Sequence, residues 1–249
     1  MAWTRTSNPV LRRGWDSGAT TVAGEGTMTI SGAVNKTGIL LLLAFASACW
    51  VWAKFNANPT AGAVGGWMML GVLGGLAVAV ATTFKPAWAP ITAPAYALLE
   101  GLALGGISAI FNLRYAGLPA EAVLATLGVL LVMLLAYQSG LVRPTARFQM
   151  GVIAATGGVM VLYFAMWILG FFGLQFTALT GAGPLSIGFS VVVCAIAALN
   201  LVLDFGLIES GARQGAPRYM EWYGAFALLV TLVWLYIEIL NLLAKTRER

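Results

Sequence analysis

The stretch Ser186-Ile-Gly-Phe-Ser-Val-Val-Val-Cys-Ala-Ile-Ala-Ala-Leu-Asn-Leu-Val-Leu-Asp-Phe-Gly-Leu-Ile208 decides the fold, because it is long and apolar enough to cross a lipid bilayer. It contains one carboxylate, Asp204. A charged side chain at membrane depth costs roughly 3 kcal/mol on insertion scales, so such residues usually face a bundle interior or a water-filled cavity. Asp204 therefore marks a candidate path for an ion, a proton or a substrate.

The composition of the whole chain also indicates an integral membrane protein. Of its 249 residues, 60% are hydrophobic and only 9% are charged, whereas soluble domains are about 25% charged. The net charge of +5 does not indicate nucleic-acid binding, because the basic residues lie mostly between apolar segments and form no long run. Cys49 and Cys194 lie in apolar runs without metal-ligand spacing, and are interpreted as small buried side chains.

The sequence contains no histidine, which excludes Ser-His catalysis, His-ligated zinc and a His-based pH switch. Any pH sensing would have to come from carboxylates. No hydroxyl has an activating base beside it in the sequence, and no phosphate loop or metal-cluster motif is present. The chain is therefore not expected to be an enzyme or to bind a cofactor.

Seven apolar runs predict an all-α membrane protein, a seven-transmembrane-helix bundle. The predicted spans are Gly38–Asn56, Ala61–Thr83, Ile91–Phe111, Ala120–Leu141, Phe148–Phe171, Ser186–Ile208 and Met220–Leu243. Residues 1–36 are polar and predict a flexible N-terminal arm, and residues 37–249 form the transmembrane domain. Glycines clustered in the second and third spans indicate close helix packing.

The distribution of basic residues predicts a cytoplasmic N-terminus. In that orientation nine of the 14 Lys and Arg residues fall on the cytoplasmic side and five on the outer side. The C-terminal tail, with Lys245, Arg247 and Arg249, argues the other way. Either the tail is an exception, or one run is re-entrant and both termini are cytoplasmic.

Three more polar residues in the spans are candidates for an ion pathway or gate beside Asp204. Asn200 lies one helical turn before Asp204, where it could donate to the carboxylate or help to ligate a cation. Glu100 lies mid-span with Tyr96 one turn back, and either contributes to function or is a protonated acid in an interhelical hydrogen bond. Glu238 lies late in the last span and is a candidate for the path, or a snorkelling acid near the interface.

Four stretches from the third span onward resemble the Bax inhibitor-1 (transmembrane Bax inhibitor motif) family, particularly its bacterial YccA-like branch. These are Glu121–Thr126, Tyr137–Arg143, Asn200–Glu209 around Asp204, and Tyr219–Leu228 at the start of the last span. The resemblance implies six helices around a central, more polar seventh, in a bacterial inner membrane. It also implies a pH-sensitive calcium leak.

In the family, two aspartates on the sixth and seventh spans share a proton and act as a pore latch. Asp204 matches the first of them, with transient contact to calcium as its implied role, and no firm metal site is implied. The second falls at Thr231, and a basic residue that the family often has late in the last span falls at Asn241, so both are replaced here. Glu100 is an alternative partner for Asp204; Glu238 lies at another depth.

Two functions are therefore expected. The first is a pH-sensitive cation leak channel, with calcium as the expected ion, gated by the buried carboxylates. The alternative is a non-transporting regulatory protein that interacts with a membrane-bound AAA protease, as some bacterial family members do. The arm of residues 1–36 would be the segment that such a partner engages.

Overall fold

A computed structural model describes residues 26–173 and 176–248, with the backbone alone at residue 61. Almost all of this part of the chain is helical. The helices are α1 Ile30–Ala57, α2 Ala61–Phe84, α3 Ala89–Arg114, α4 Leu118–Gln138, α5 Ala146–Phe171, the short α6 Thr177–Thr180, α7 Pro184–Arg213 and α8 Met220–Arg247, with a 3-10 turn at Pro86–Trp88. The predicted all-α fold is confirmed.

Seven of these helices, all except α6, are long and apolar enough to cross a membrane. The shortest, α4, has 21 residues, which at 1.5 Å per residue covers the roughly 30 Å hydrocarbon core. The chain is therefore a multi-pass membrane protein. Of the seven candidate spans, α8 is the most buried, with 56% of the residues in its most apolar stretch inside the protein.

The helix ends follow from local chemistry. Thr29 caps α1, its side chain accepting a hydrogen bond from the backbone N–H of Gly32, so the helix begins at Ile30 rather than at the predicted Gly38. Gly117 has a φ of 82°, and Pro119 follows it in the first turn of α4. Residues 1–25 of the predicted arm lie outside the described residues, whereas residues 30–36 belong to α1.

The chain divides into two compact units. The first contains α1, α2, α3 as far as Ile110, and the stretch Leu207–Leu229. Glycines let its helices approach closely: a Cβ on Gly105 would lie 2.6 Å from the backbone oxygen of Ala48, and one on Gly71 would lie 2.5 Å from that of Leu99. This is the close packing that the glycine clusters predicted.

A buried ion pair ties the two ends of the first unit's chain together. Glu221, in the first turn of α8, is only 3% exposed. Its carboxylate accepts hydrogen bonds from the Thr29 backbone N–H and hydroxyl, both at 2.9 Å, and from Lys36. Since Thr29 caps the N-terminus of α1, the Glu221 carboxylate also places a negative charge at the positive end of the α1 dipole. The Met28 N–H donates to the Ala216 carbonyl at 2.7 Å.

The second unit contains residues 111–206 and Val230–Arg249. At its C-terminal end Arg247 donates to Glu121, at 2.5 Å, and to the Ala116 carbonyl, at 3.1 Å. The Tyr115 hydroxyl donates to Glu248 at 2.8 Å, and this hydrogen bond raises the pKa of Tyr115. The last turn of α8 is therefore fixed to the loop between α3 and α4, at the opposite end of α8 from Glu221.

Substitution of Gly32 by Ala tests the buried ion pair. A Cβ at Gly32 would overlap the Glu221 carboxylate, so Gly32→Ala is expected to lower the stability of the detergent-solubilised protein by about 1–3 kcal/mol. Gly38→Ala is the matched control, because a Cβ there meets nothing within 4 Å. Thermal unfolding measures both variants. Equal melting temperatures would show that the contact around Glu221 is not tight.

Candidate functional site

Asp204 lies on α7 in the second unit. Its carboxyl forms a side-chain hydrogen bond with Thr231 of α8. Its other oxygen, Oδ2, is buried and has no hydrogen-bond partner among the described residues. An unsatisfied buried polar atom costs roughly 1–3 kcal/mol, and in a native protein such an atom needs a functional or structural explanation.

Thr231 occupies the place that the resemblance assigns to the second acid of the family's pair. It is 9% exposed and contacts Asp204, so this position faces the first acid of the implied pair. A hydroxyl therefore stands where the resemblance implies a carboxylate. Asn241, where a basic residue was expected, is half-buried on the same helix.

Asn200 does not make the hydrogen bond to Asp204 that the sequence suggested. Its amide nitrogen donates at 2.8 Å to the Thr156 hydroxyl of α5, and at 2.8 Å to the Ile196 carbonyl in its own helix. Both amide hydrogens are used by these two acceptors. Asn200 thus links α7 to α5 one turn from Asp204, and only its side-chain carbonyl is available as a ligand.

Glu100 lies on α3 in the first unit, where it is half-buried. It forms the hydrogen bond with Tyr96 that the one-turn spacing suggested. The Glu100 carboxyl packs over Gly75 of α2, where a Cβ would lie 3.0 Å from Oε2. Since Glu100 and Asp204 belong to different units, a pairing between them stays a prediction.

Glu238 is a buried acid on α8, 4% exposed, so it is not a snorkelling acid at an interface. Its Oε1 accepts a hydrogen bond from the Tyr163 hydroxyl of α5 at 2.9 Å and one from the Trp234 indole at 3.2 Å. It also interacts electrostatically with Cys194 of α7 and Lys245 of α8. Glu238 follows Thr231 by seven residues, or roughly 10 Å along the helix.

Lys245 was assigned to the basic tail by sequence reasoning, but its side chain points into the second unit. Its ammonium donates at 2.8 Å to the Ser190 hydroxyl of α7 and at 3.1 Å to the Leu179 carbonyl of α6. The spacing of Thr231, Glu238 and Lys245 was a usable signal, because three polar residues at seven-residue intervals lie near one face of a helix.

Together these side chains form a polar line between α7 and α8 within the second unit, here called the seam. Its members are Ser190, Cys194 and Asp204 on α7, and Thr231, Glu238 and Lys245 on α8. Because Asp204 meets Thr231 and Ser190 meets Lys245, the two helices run antiparallel along it. The separation of Ser190 and Asp204 corresponds to about 21 Å of helix, so the seam extends through much of a bilayer core.

The chemistry of the seam is that of carboxyl, hydroxyl and ammonium groups. Among residues 26–173 and 176–248, no group of three or more His, Cys, Asp or Glu side chains could hold a metal ion. Among the described residues, the contacts of Asp204 bring together its carboxylate and the Thr231 hydroxyl, whereas calcium takes six to eight oxygen ligands. The geometry suits a passing cation or a proton better than a resident ion.

A family model described as "Bax inhibitor 1 like" matches residues 8–248, which is nearly the whole chain. No curated protein and no solved structure gives a match. The seven apolar helices and the extent of the family match agree, and the chain belongs to the Bax inhibitor 1-like family.

Proposed function

We propose that the protein is a pH-sensitive cation leak channel in which Asp204 is the gating carboxyl. The observation that carries the proposal is the buried Oδ2 of Asp204, which has no hydrogen-bond partner in residues 26–173 and 176–248 and lies where two apolar spans meet. Intramembrane acids usually mark ion or proton pathways. Glu238 provides a second buried carboxyl on the same seam, and Asn200 provides an amide oxygen one turn from Asp204.

Gating follows from the charge of Asp204. An ionised carboxylate attracts a hard cation such as calcium, for which carboxylate and hydroxyl oxygens are suitable ligands. Protonation removes this charge and turns the carboxyl into a hydrogen-bond donor. The two protonation states therefore favour different conformations, and a change of pH shifts the population between open and closed forms.

The location that fits this function is a bacterial inner membrane with a cytoplasmic N-terminus. The excess of basic residues on one side supports the orientation.

Replacement of Asp204 by Asn tests the leak. In liposomes holding the purified protein, wild-type calcium flux is expected to change between about pH 5 and pH 8, a range in which buried carboxyls of proteins can titrate. An asparagine side chain stays neutral at every pH. Asp204→Asn is therefore expected to show, across the whole range, the flux that the wild type has at its lowest pH.

Glu209→Gln is the matched control for this experiment. Glu209 lies on the same helix but forms an ion pair with Arg213 at 2.5 Å. The Glu209→Gln variant should therefore keep the wild-type dependence of calcium flux on pH. Wild-type flux without pH dependence, or an unchanged profile in Asp204→Asn, would contradict the role of Asp204.

Thr231→Asp tests the geometry of the pair. The variant places a second carboxyl in contact with Asp204, and two carboxyls in contact titrate as a coupled pair that shares one proton. The pH profile of flux is expected to split into two steps, the upper one above the wild-type midpoint. Thr231→Val, which removes only the hydroxyl, should keep a single step. A single step in Thr231→Asp would show that residues 204 and 231 do not interact in the working protein.

The presence of Thr231 in place of an acid also favours a second function, a regulatory protein without transport that binds a membrane protease. Deletion of residues 1–25 tests it, because this deletion spares Thr29 and Lys36, which hold the start of α1 on Glu221. Loss of protease capture on this deletion, together with absence of calcium flux in the full chain, would support the regulatory function. Capture that survives the deletion would contradict a role for the arm.

A further inference from the structure

The seam contains one cationic group, Lys245, that the proposed gating does not use. Its ammonium lies in the last turn of α8, seven residues beyond Glu238, and is held by two neutral acceptors, the Ser190 hydroxyl and the Leu179 carbonyl. A lysine that only snorkels extends its ammonium to the headgroups or to water. The Lys245 ammonium is instead directed at acceptors on α6 and α7.

The charge of Lys245 acts on the acid beside it. Glu238 and Lys245 interact electrostatically without forming a close ion pair, and the Glu238 carboxyl receives its hydrogen bonds from Tyr163 and Trp234 instead. The titratable groups around Glu238 are thus Tyr163, Cys194 and Lys245. Lys245 is the cation among these three groups, and its ammonium is held on Ser190 and Leu179.

We propose that Lys245 is a tethered cation that excludes mobile cations from its end of the seam and sets the selectivity between monovalent and divalent ions. The proposal rests on the proposed passage of cations along the seam. A fixed positive charge lowers the local concentration of a mobile cation by a Boltzmann factor, and this factor is squared for a divalent ion. Lys245 therefore opposes calcium more strongly than it opposes potassium.

A purely structural role for Lys245 predicts something different. A lysine in the last turn of a helix stabilises the helix dipole, and the hydrogen bond to Leu179 anchors α6. If this were its whole contribution, removal of the charge would alter the stability of the protein without favouring cations over neutral molecules near Glu238. A probe of local charge therefore separates the two roles.

Cys194 supplies the probe, because it lies on the seam within electrostatic reach of both Glu238 and Lys245. In a Cys49→Ser background it is the single thiol of the chain. The rate of its modification in liposomes is measured with two reagents, a trimethylammonium methanethiosulfonate and the neutral methyl methanethiosulfonate. Lys245→Met is expected to raise the rate of the cationic reagent by about tenfold and that of the neutral reagent by less than about twofold.

Two variants control the measurement. Lys245→Arg keeps the charge and should keep the wild-type ratio of the two rates, which also shows that the position tolerates substitution. Lys54→Met removes a lysine in the last turn of α1, where Lys54 lies over the Trp50 ring in the first unit, and should change neither rate. Equal changes for both reagents in Lys245→Met, or no modification of Cys194 in any variant, would overturn the proposal.

Ion flux in the same liposomes separates this inference from the proposed leak. Lys245→Met is expected to raise calcium flux by a larger factor than potassium flux. If the wild type passes calcium and Lys245→Met leaves the calcium to potassium ratio unchanged, the inference fails and the leak stands. If no variant passes cations but the charge-dependent modification of Cys194 persists, the leak fails while the exclusion of cations by Lys245 stands.

Discussion

The bilayer requires that polar groups inside the protein find their partners in the protein itself, because hydrocarbon offers none. Two acids meet this requirement to different extents. Glu221 accepts hydrogen bonds from Thr29 and Lys36 and so fixes the start of α1 to the start of α8. Asp204 bonds Thr231, and its buried Oδ2 has no hydrogen-bond partner in the part of the chain that the structure describes. The same functional group is thus a structural clamp in one unit and the candidate site in the other.

These two acids differ in their neighbours. A carboxylate with a lysine and an N-terminal helix turn around it is stable as an anion, and its surroundings leave no reason for it to change state. A carboxyl that faces one hydroxyl and apolar side chains is sensitive to whatever reaches it, whether a proton, a water molecule or a cation. In a membrane bundle, a buried polar group whose hydrogen bonds are incomplete is therefore a candidate for function, and Asp204 is such a group.

The sequence predicted well what depends on local pattern. The seven spans follow from runs of apolar residues, and the bond between Tyr96 and Glu100 follows from one-turn spacing. The start of α1 was missed, because the polar residues Asn35 and Lys36 interrupt the apolar pattern there. Its cap, Thr29, also donates to Glu221, which is 192 residues away in the sequence. Asn200 was assigned to Asp204 because both lie on one helix face, whereas its amide bonds Thr156 on α5. Partners on other helices do not follow from spacing within one.

Lys245 shows the same limit in the assignment of charges. In the sequence, a basic residue near the end of a span is counted among the charges that flank the membrane. Counted in this way, the tail predicted an orientation opposite to that of the internal loops. Its ammonium is bonded instead to Ser190 and Leu179, within the second unit. A charge used inside the bundle contributes to the energetics of the site and less to topology. The seam thus contains two acids, Asp204 and Glu238, and one base, Lys245, at different positions along α7 and α8. If the seam gates as we propose, its response to pH depends on how these three groups interact, and not on Asp204 alone.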